Sequence, residues 1–427
     1  MNPQAEELNG TVKRNNENVY EMLSDKGRAI FFPKKGILGQ TAEAKGKKIN
    51  ATIGIALEDD GSPMRLKSIA KKIKLDPKEI FPYAPSFGKQ ELRERWKSMM
   101  YQKNPSLNGK EISLPIVTNA LTHGLSMVGY MFVNNDDKII LPDLYWGNYR
   151  LILQNAYGAV FDTFQTFDGK GFNVNGLKEK LNEGNGKKIV LLNFPNNPTG
   201  YTPTEKEAAE IKDVIKEAAE KGNKILVIID DAYFGLVYKK GIYTQSLFAE
   251  LADFRENVLA TKLDGATKED YVWGLRVGFI TYGIKGGNRE LYEALENKTA
   301  GAVRGSISNS SNLSQSLVYH AFSDPRYWNE KKKKYHLLKK RFKEVERVLK
   351  EHKEYEEEFI ALPYNSGYFM CVRLNNKDGE KVRQILLSEY DTGVVSIENI
   401  LRIAFSAVKD EMIAELFENI YKACKDV

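Results

Sequence analysis

Through the middle of the chain, short apolar runs alternate with helical patterns. IVLLNF (189–194) has the length of a buried strand and no polar break. TEKEAAEIKDVIKEAAEKG (204–222) spaces its apolar residues for one face of a helix and ends at a glycine. KILVIID (224–230) is strand-like again. Strand, helix, strand in succession argues for a parallel sheet covered by helices. Upstream, ISLPIVT (112–118) and KIILPD (138–143) read as strands on either side of a helix written LTHGLSMVGYMFV, and FITYG (279–283) as one more strand.

A long helix is expected from about residue 325, with Ser323 or Asp324 as its cap and Pro325 in its first turn. Trp328, Tyr335, Leu338, Phe342, Val345 and Leu349 form one stripe along it. Such a helix suits a connection between a central and a terminal domain. YFMCVRL (368–374) and ILRIAF (400–405) read as strands of a smaller α/β unit.

Composition changes this picture little. At 427 residues the chain is too long for a single compact core, which argues for two domains. The net charge of +6 is a mild excess, and nucleic-acid binding would need a clustered basic face. The one obvious cluster, Lys331 to Lys334, reads as a solvated helix face. Cys371 and Cys424 give neither a disulfide framework nor zinc spacing and are expected to be reduced thiols in a cytoplasmic protein. The N-terminus lacks the apolar core of a signal peptide, and no apolar run approaches bilayer length, so neither a membrane nor a nucleic-acid partner is expected. The four histidines make no metal or triad spacing, and no metal is expected.

Three motifs carry chemistry. The octet Asn193-Phe194-Pro195-Asn196-Asn197-Pro198-Thr199-Gly200 follows a strand, and its prolines and glycine fix an irregular loop at the edge where open α/β sheets bind ligands. Asp230-Asp231-Ala232-Tyr233 closes the next strand; taken alone, Asp230 is better explained as a strand-terminating acid or helix cap. Lys268 precedes Gly274-Leu275-Arg276-Val277-Gly278, where glycines let the backbone approach a ligand and an arginine can grip a phosphate.

In this order the motifs resemble those of the class I aminotransferases among the fold-type I pyridoxal-phosphate enzymes, and within them bacterial aspartate and aromatic aminotransferases. The likeness runs from about Lys48 to Ala404. It implies an α/β fold: a three-layer α/β/α large domain with a mostly parallel sheet, residues 61–327, and a smaller α/β domain formed by 1–60 and 328–427. It implies a homodimer with shared sites, and ping-pong transfer of the α-amino group of an L-amino acid to a 2-oxo acid.

The resemblance assigns roles to named residues. Lys268 would carry pyridoxal 5′-phosphate as a Schiff base and then shuttle a proton; its neighbour Lys262 lies too far from Arg276 to compete. Asp230 would pair with the pyridine nitrogen, and Asn197 and Tyr233 with the ring's 3′ oxygen. Trp146 would stack on the ring; without the other motifs it is a core tryptophan. Ala120, Leu121 and Thr122 at a helix start, with Arg276, would hold the phosphate. Tyr83 would reach the phosphate of the neighbouring subunit. Arg402 would bind the substrate α-carboxylate. Gly54 would belong to a loop that closes over the substrate. Arg304, from the partner, would meet a side-chain carboxylate, favouring aspartate, glutamate and 2-oxoglutarate, with aromatic substrates left open because enzymes of this type can swing the arginine aside.

The pattern also departs from the family. Gly265 stands where a phosphate-binding serine is usual, Asn119-Ala120 replaces a glycine-rich pair, and residues 1–45 have no placed counterpart. A β-lyase on the same scaffold would share Lys268, Asp230 and Arg402. A regulatory module lacks its expected DNA-binding helices, and a nicotinamide dehydrogenase its Gly-x-Gly-x-x-Gly.

Overall fold

The computed structural model describes residues 1–30, 36–71 and 75–427. A seven-stranded sheet lies at its centre. In chain order its strands are β1 (Ile116–Asn119), β2 (Lys138–Pro142), β3 (Val160–Phe164), β4 (Lys187–Asn193), β5 (Lys224–Asp230), β6 (Val258–Asp264) and β7 (Val277–Gly283). The spatial order is β1-β7-β6-β5-β4-β2-β3. Only β7 runs against its neighbours; the other pairings are parallel. β4, β5 and β7 are buried almost throughout, as continuous apolar runs covered on both faces require.

Helices Ala120–Phe132, Val174–Asn182, Glu205–Glu220, Arg289–Ser306 and Asn312–Phe322 pack against this sheet. Helix Glu205–Glu220 begins with a capping box between Thr204 and Glu207. The register Asn193↔Asp230↔Leu263 brings the carboxyl ends of β4, β5 and β6 level, so the loops that follow them share one edge.

A second sheet has four antiparallel strands, β8 (Phe359–Ala361), β9 (Met370–Leu374), β10 (Val395–Ile397) and β11 (Ile400–Ile403), in the order β8-β9-β11-β10. Residues Ile49–Asn50 pair in parallel with Thr392–Gly393 in a separate two-stranded sheet, just before β10 in the chain, which ties the N-terminal part of the chain to this C-terminal region. Helix Tyr327–Glu351 leads into it.

Three expectations change. The long helix begins at Tyr327 rather than near 325, with Pro325 in the turn before it, where Tyr327 N–H donates to the Asp324 carbonyl. Trp328 is 46% exposed and does not belong to the buried stripe, whereas Arg341 does, fully buried. The strands β3 and β6 were not anticipated. β6 reads VLATKLD, and a lysine in its middle breaks the apolar run that marks a buried strand.

Candidate active site

At the carboxyl edge of β4, β5 and β6 lies a cavity of about 350 Å3. It brings together Gly54, Ala120, Leu121, Thr122, Trp146, Asn197, Asp230, Tyr233, Lys268, Arg276 and Arg402. Tyr83 and Arg304 lie outside it. Tyr83 is 90% exposed, and Arg304 is an exposed residue in the last turn of its helix, donating to Ser308 Oγ at 2.8 Å.

The floor is built from strand ends. Asn193 Nδ2 donates to the Asp230 carbonyl at 2.8 Å, and Asn193 Oδ1 accepts from the Asn197 N–H at 2.8 Å, so the octet loop is tied to β5. Asp230 is buried. Its Oδ1 accepts from the Ala232 N–H at 3.1 Å and its Oδ2 from Tyr149 Oη at 2.5 Å. Burial raises the carboxyl pKa, while the Tyr149 hydrogen bond and the charge of Lys268 oppose that rise. Tyr149 itself is fully buried and was not singled out from the sequence. The available signal was its position three residues after Trp146, one helical turn on, and the two rings meet edge to face with centroids 5.6 Å apart.

Lys268 follows β6 in a short helical turn, Ala266–Glu269. Its side chain is half-buried and opens onto the cavity. It makes no ion pair among the described residues, and its Nζ lies 4.9 Å from the centroid of the Tyr233 ring. The dense surround lowers its pKa to about 8; Asp230 opposes the shift and Arg276 adds to it. An amine of this kind is partly neutral near pH 8 and can act as nucleophile or base.

One corner of the cavity combines the first turn of helix Ala120–Phe132 with Arg276. First-turn N–H groups have no partner within their helix and point where an anion is favoured. Two glycines explain how the corner fits together. A Cβ on Gly278 would lie 2.7 Å from the Ala120 carbonyl carbon, and one on Gly265 would lie 2.6 Å from the Val277 carbonyl oxygen. Serine at 265 therefore has no room, because β7 and the helix start already fill that space. Ala120 takes φ 62, a left-handed conformation that glycine adopts more cheaply.

Opposite stands Arg402 on β11, 2% exposed. Its Nη1 donates to Asn197 Oδ1 at 3.3 Å and its Nη2 to the Thr52 carbonyl at 3.1 Å, over the Phe369 ring at 4.4 Å. Its Nε is buried without a hydrogen-bond partner among the described residues. A buried guanidinium on the cavity lining, with one donor left unpaired, suits a carboxylate ligand. Burial lowers this arginine's pKa, partly offset by Tyr233 and Cys371.

The arrangement offers a buried acid, an amine of lowered pKa, an anion corner and an opposed guanidinium. These donors fit the cofactor that the sequence motifs imply: a phosphate at Ala120–Thr122 and Arg276, an aldehyde within reach of Lys268, a ring nitrogen at Asp230. Among the described residues no group of three or more His, Cys, Asp or Glu is placed to hold a metal ion, and no helix is long and apolar enough to cross a membrane.

Comparison with known proteins gives a consistent result. The family model described as aminotransferase class I and II matches residues 46–420. An aspartate aminotransferase of Sulfurisphaera tokodaii is 26% identical over 244 residues, covering 56% of this chain and 57% of that protein. A probable N-acetyl-LL-diaminopimelate aminotransferase of Bacillus subtilis is 27% identical over 235 residues, 54% of each chain. The aligned part thus spans only a little over half of these curated relatives. The crystal structure of an aminotransferase from Anaerococcus prevotii superposes with a TM-score of 0.83 at 25% identity, covering 94% of this chain and 98% of that one.

Proposed function

The chain belongs to the class I and II aminotransferases, and from that premise we propose that it moves the α-amino group of an L-amino acid, aspartate and/or aromatic, to a 2-oxo acid such as 2-oxoglutarate in a ping-pong sequence. The observation that carries this reading is the pairing across one cavity of Lys268, with its lowered pKa, and Arg402, with its unpartnered Nε. One group holds and moves a proton; the other fixes the substrate beside it.

Pyridoxal 5′-phosphate, when bound, supplies an aldehyde for covalent attachment and a ring that accepts electrons from the substrate Cα. Lys268 would attach it and, once released, carry the proton between the substrate Cα and the cofactor C4′. Asp230 would keep a proton on the pyridine nitrogen, with Tyr149 and the Ala232 N–H holding the carboxylate in place. Asn197 and Tyr233 would donate to the ring's 3′ oxygen, and Trp146 would cover the ring face. Arg402 would take the α-carboxylate through a two-point contact that orients as well as binds. The segment carrying Gly54 would exclude water when closed.

The exposure of Tyr83 and Arg304 supports a homodimer in which each subunit lends these side chains to the other's site. Phe81, 80% exposed beside Tyr83, supports the same face. Arg304 so placed would favour acidic donors.

The test is a half-reaction. Protein loaded with cofactor is mixed with aspartate, glutamate or tyrosine alone, and the absorbance of the bound cofactor is followed. Conversion to the pyridoxamine form, reversed by 2-oxoglutarate, is the expected result and ranks the donors. Release of ammonia with no need for an oxo acid would replace this reading with a lyase.

A further inference from the structure

The run Lys331–Lys334, expected to be a solvated face, divides in the structure. Lys332 and Lys333 are exposed, while Lys331 and Lys334 turn inward. Lys331 Nζ lies 2.8 Å from Glu269 Oε1 and 3.0 Å from Asp270 Oδ1, the two residues that directly follow Lys268. Lys103 reaches the same Glu269 oxygen at 2.8 Å, and Tyr327 Oη donates to Asp270 Oδ1 at 2.5 Å. Lys334 pairs with Glu58. Further along the helix, Arg341 donates from Nη1 to the Leu57 carbonyl at 2.8 Å and the Ser406 carbonyl at 2.5 Å, and from Nη2 to Asp59 Oδ1 at 2.9 Å.

Residues 331, 334 and 341 are spaced by three and seven, which puts them on one face of the helix. That face touches three segments of the site. Glu269 and Asp270 continue from Lys268. Leu57, Glu58 and Asp59 end the segment that carries Gly54, whose other end is held by Arg402 at the Thr52 carbonyl. Ser406 lies just beyond β11, which carries Arg402. Glu269 Oε2 and Asp270 Oδ2 are buried without hydrogen-bond partners among the described residues, so the cations beside them carry the compensation for two interior carboxylates.

We propose that Lys331, Lys334 and Arg341 form a positioning face. Through Glu269 and Asp270 it sets Lys268, and through Leu57, Asp59 and Ser406 it sets the Gly54 segment and the strand end behind Arg402. It rests on the aminotransferase reading above. None of the three residues lines the cavity; each acts through a segment that does. The helix thereby fixes the distance between the amine and the arginine that orients the substrate, and proximity of this kind is sensitive to displacements of an ångström or less.

A staple that only stabilises the fold and a positioning face differ in what they move. The full-length chain is compared as Lys331→Met, Lys331→Arg, Arg341→Met, Arg341→Lys, Asp59→Asn and the exposed control Lys332→Met. Three quantities are read: the dissociation constant for pyridoxal phosphate by absorbance, that for an unreactive carboxylate by calorimetry (maleate or 3-phenylpropionate, whichever binds the parent chain), and the urea midpoint. Lys331→Met is expected to weaken cofactor binding about tenfold and to shift carboxylate binding less than about threefold, with Lys331→Arg recovering most of the loss. Arg341→Met is expected to do the reverse, raising the carboxylate constant about tenfold with the cofactor constant within about threefold, and Arg341→Lys to recover part of it. Asp59 is exposed, so Asp59→Asn tests the same latch with little risk to folding; about a threefold rise in the carboxylate constant is expected. Lys332→Met should match the parent chain. Variants that lower the urea midpoint but leave both constants unchanged, or move both together, overturn the proposal. A parent chain that binds neither cofactor nor carboxylate overturns the aminotransferase reading first, and this proposal with it.

Discussion

Lys262 and Lys268 lie on either side of the end of β6, and their surroundings act on the two amines in opposite ways. Lys262 is 1% exposed, ion-paired with Asp231 and 3.2 Å from Asp264 Oδ2, with Phe234 beneath it. Burial alone would lower its pKa, but the two carboxylates outweigh burial and raise it. Lys268, half-buried at the cavity, has no ion pair among the described residues, and its pKa falls to about 8. Burial is common to both; the presence of a carboxylate partner decides whether the amine is a fixed charge or a reagent. Lys262 also sits outside the cavity that Lys268 opens onto.

The largest expected effect comes from removing the reagent. Lys268→Ala should cut amino transfer by at least about 10^4-fold while the far-ultraviolet spectrum stays that of the parent chain. The comparison breaks if the variant still forms a reducible covalent bond to the cofactor, and above all if mass mapping after borohydride finds that bond on Lys262.

Removing the fixed charge should act on the fold instead. Lys262→Met leaves Asp231 and Asp264 facing each other in the interior without their cation, and breaking a buried pair in this way costs about 3–5 kcal/mol. A urea midpoint unchanged from the parent, together with lost activity, would mean that Lys262 serves the chemistry and that the contrast drawn here is wrong.

Sequence reading separated these two lysines by their distance from Arg276, a pattern of spacing, and did so without any view of their partners. The octet loop, the acid ending β5 and the Lys268–Gly278 segment were legible because strand ends, prolines and glycines leave marks that one-dimensional patterns carry. Eleven of the thirteen residues singled out line one cavity. What was not legible has a common cause. Tyr149, Arg341 and the inward turn of Lys331 and Lys334 are polar groups whose role depends on partners distant in sequence: Asp230, Leu57 and Ser406, Glu269, Glu58. β6 escapes a one-dimensional reading for a related reason, since its lysine is tolerated because Asp231, from the neighbouring strand end, joins Asp264 in pairing with it. Tyr83 and Arg304 were read as belonging to a partner's site, and a single chain leaves them on the surface.

The lowered pKa of Lys268 makes a pH prediction of moderate size. Attack on an aldehyde needs the neutral amine, so the rate at which cofactor-free protein captures pyridoxal phosphate should rise with pH through about 8 and then level off. Between pH 7 and 9 the neutral fraction of a group titrating near 8 grows by about tenfold. Stopped-flow absorbance reads the rate directly. A profile still climbing steeply above pH 10 would place Lys268 with ordinary exposed lysines and remove the distinction from Lys262.

An effect of similar size is expected at Tyr149, and it bears on why Lys268 makes no ion pair among the described residues. Asp230 is the acid nearest to it in function, yet its Oδ2 is taken by Tyr149 Oη at 2.5 Å and its Oδ1 by the Ala232 N–H. Tyr149→Phe frees Oδ2. The carboxyl then loses the hydrogen bond that opposes its burial, so its pKa rises further and it holds a proton on the cofactor nitrogen less well. A hydrogen bond to a charged group contributes about 1.5 kcal/mol or somewhat more, so kcat should fall by about tenfold, with KM for the amino acid nearly unchanged because Arg402 is untouched. Freed of Tyr149, Asp230 also becomes available to Lys268. The pH at which the cofactor-free protein captures pyridoxal phosphate should therefore move up, toward the behaviour of Lys262. A fall in kcat with no upward movement of that profile would separate the two roles of Asp230, leaving it a partner of the cofactor alone and burial, with the charge of Arg276, the cause of the reactive amine.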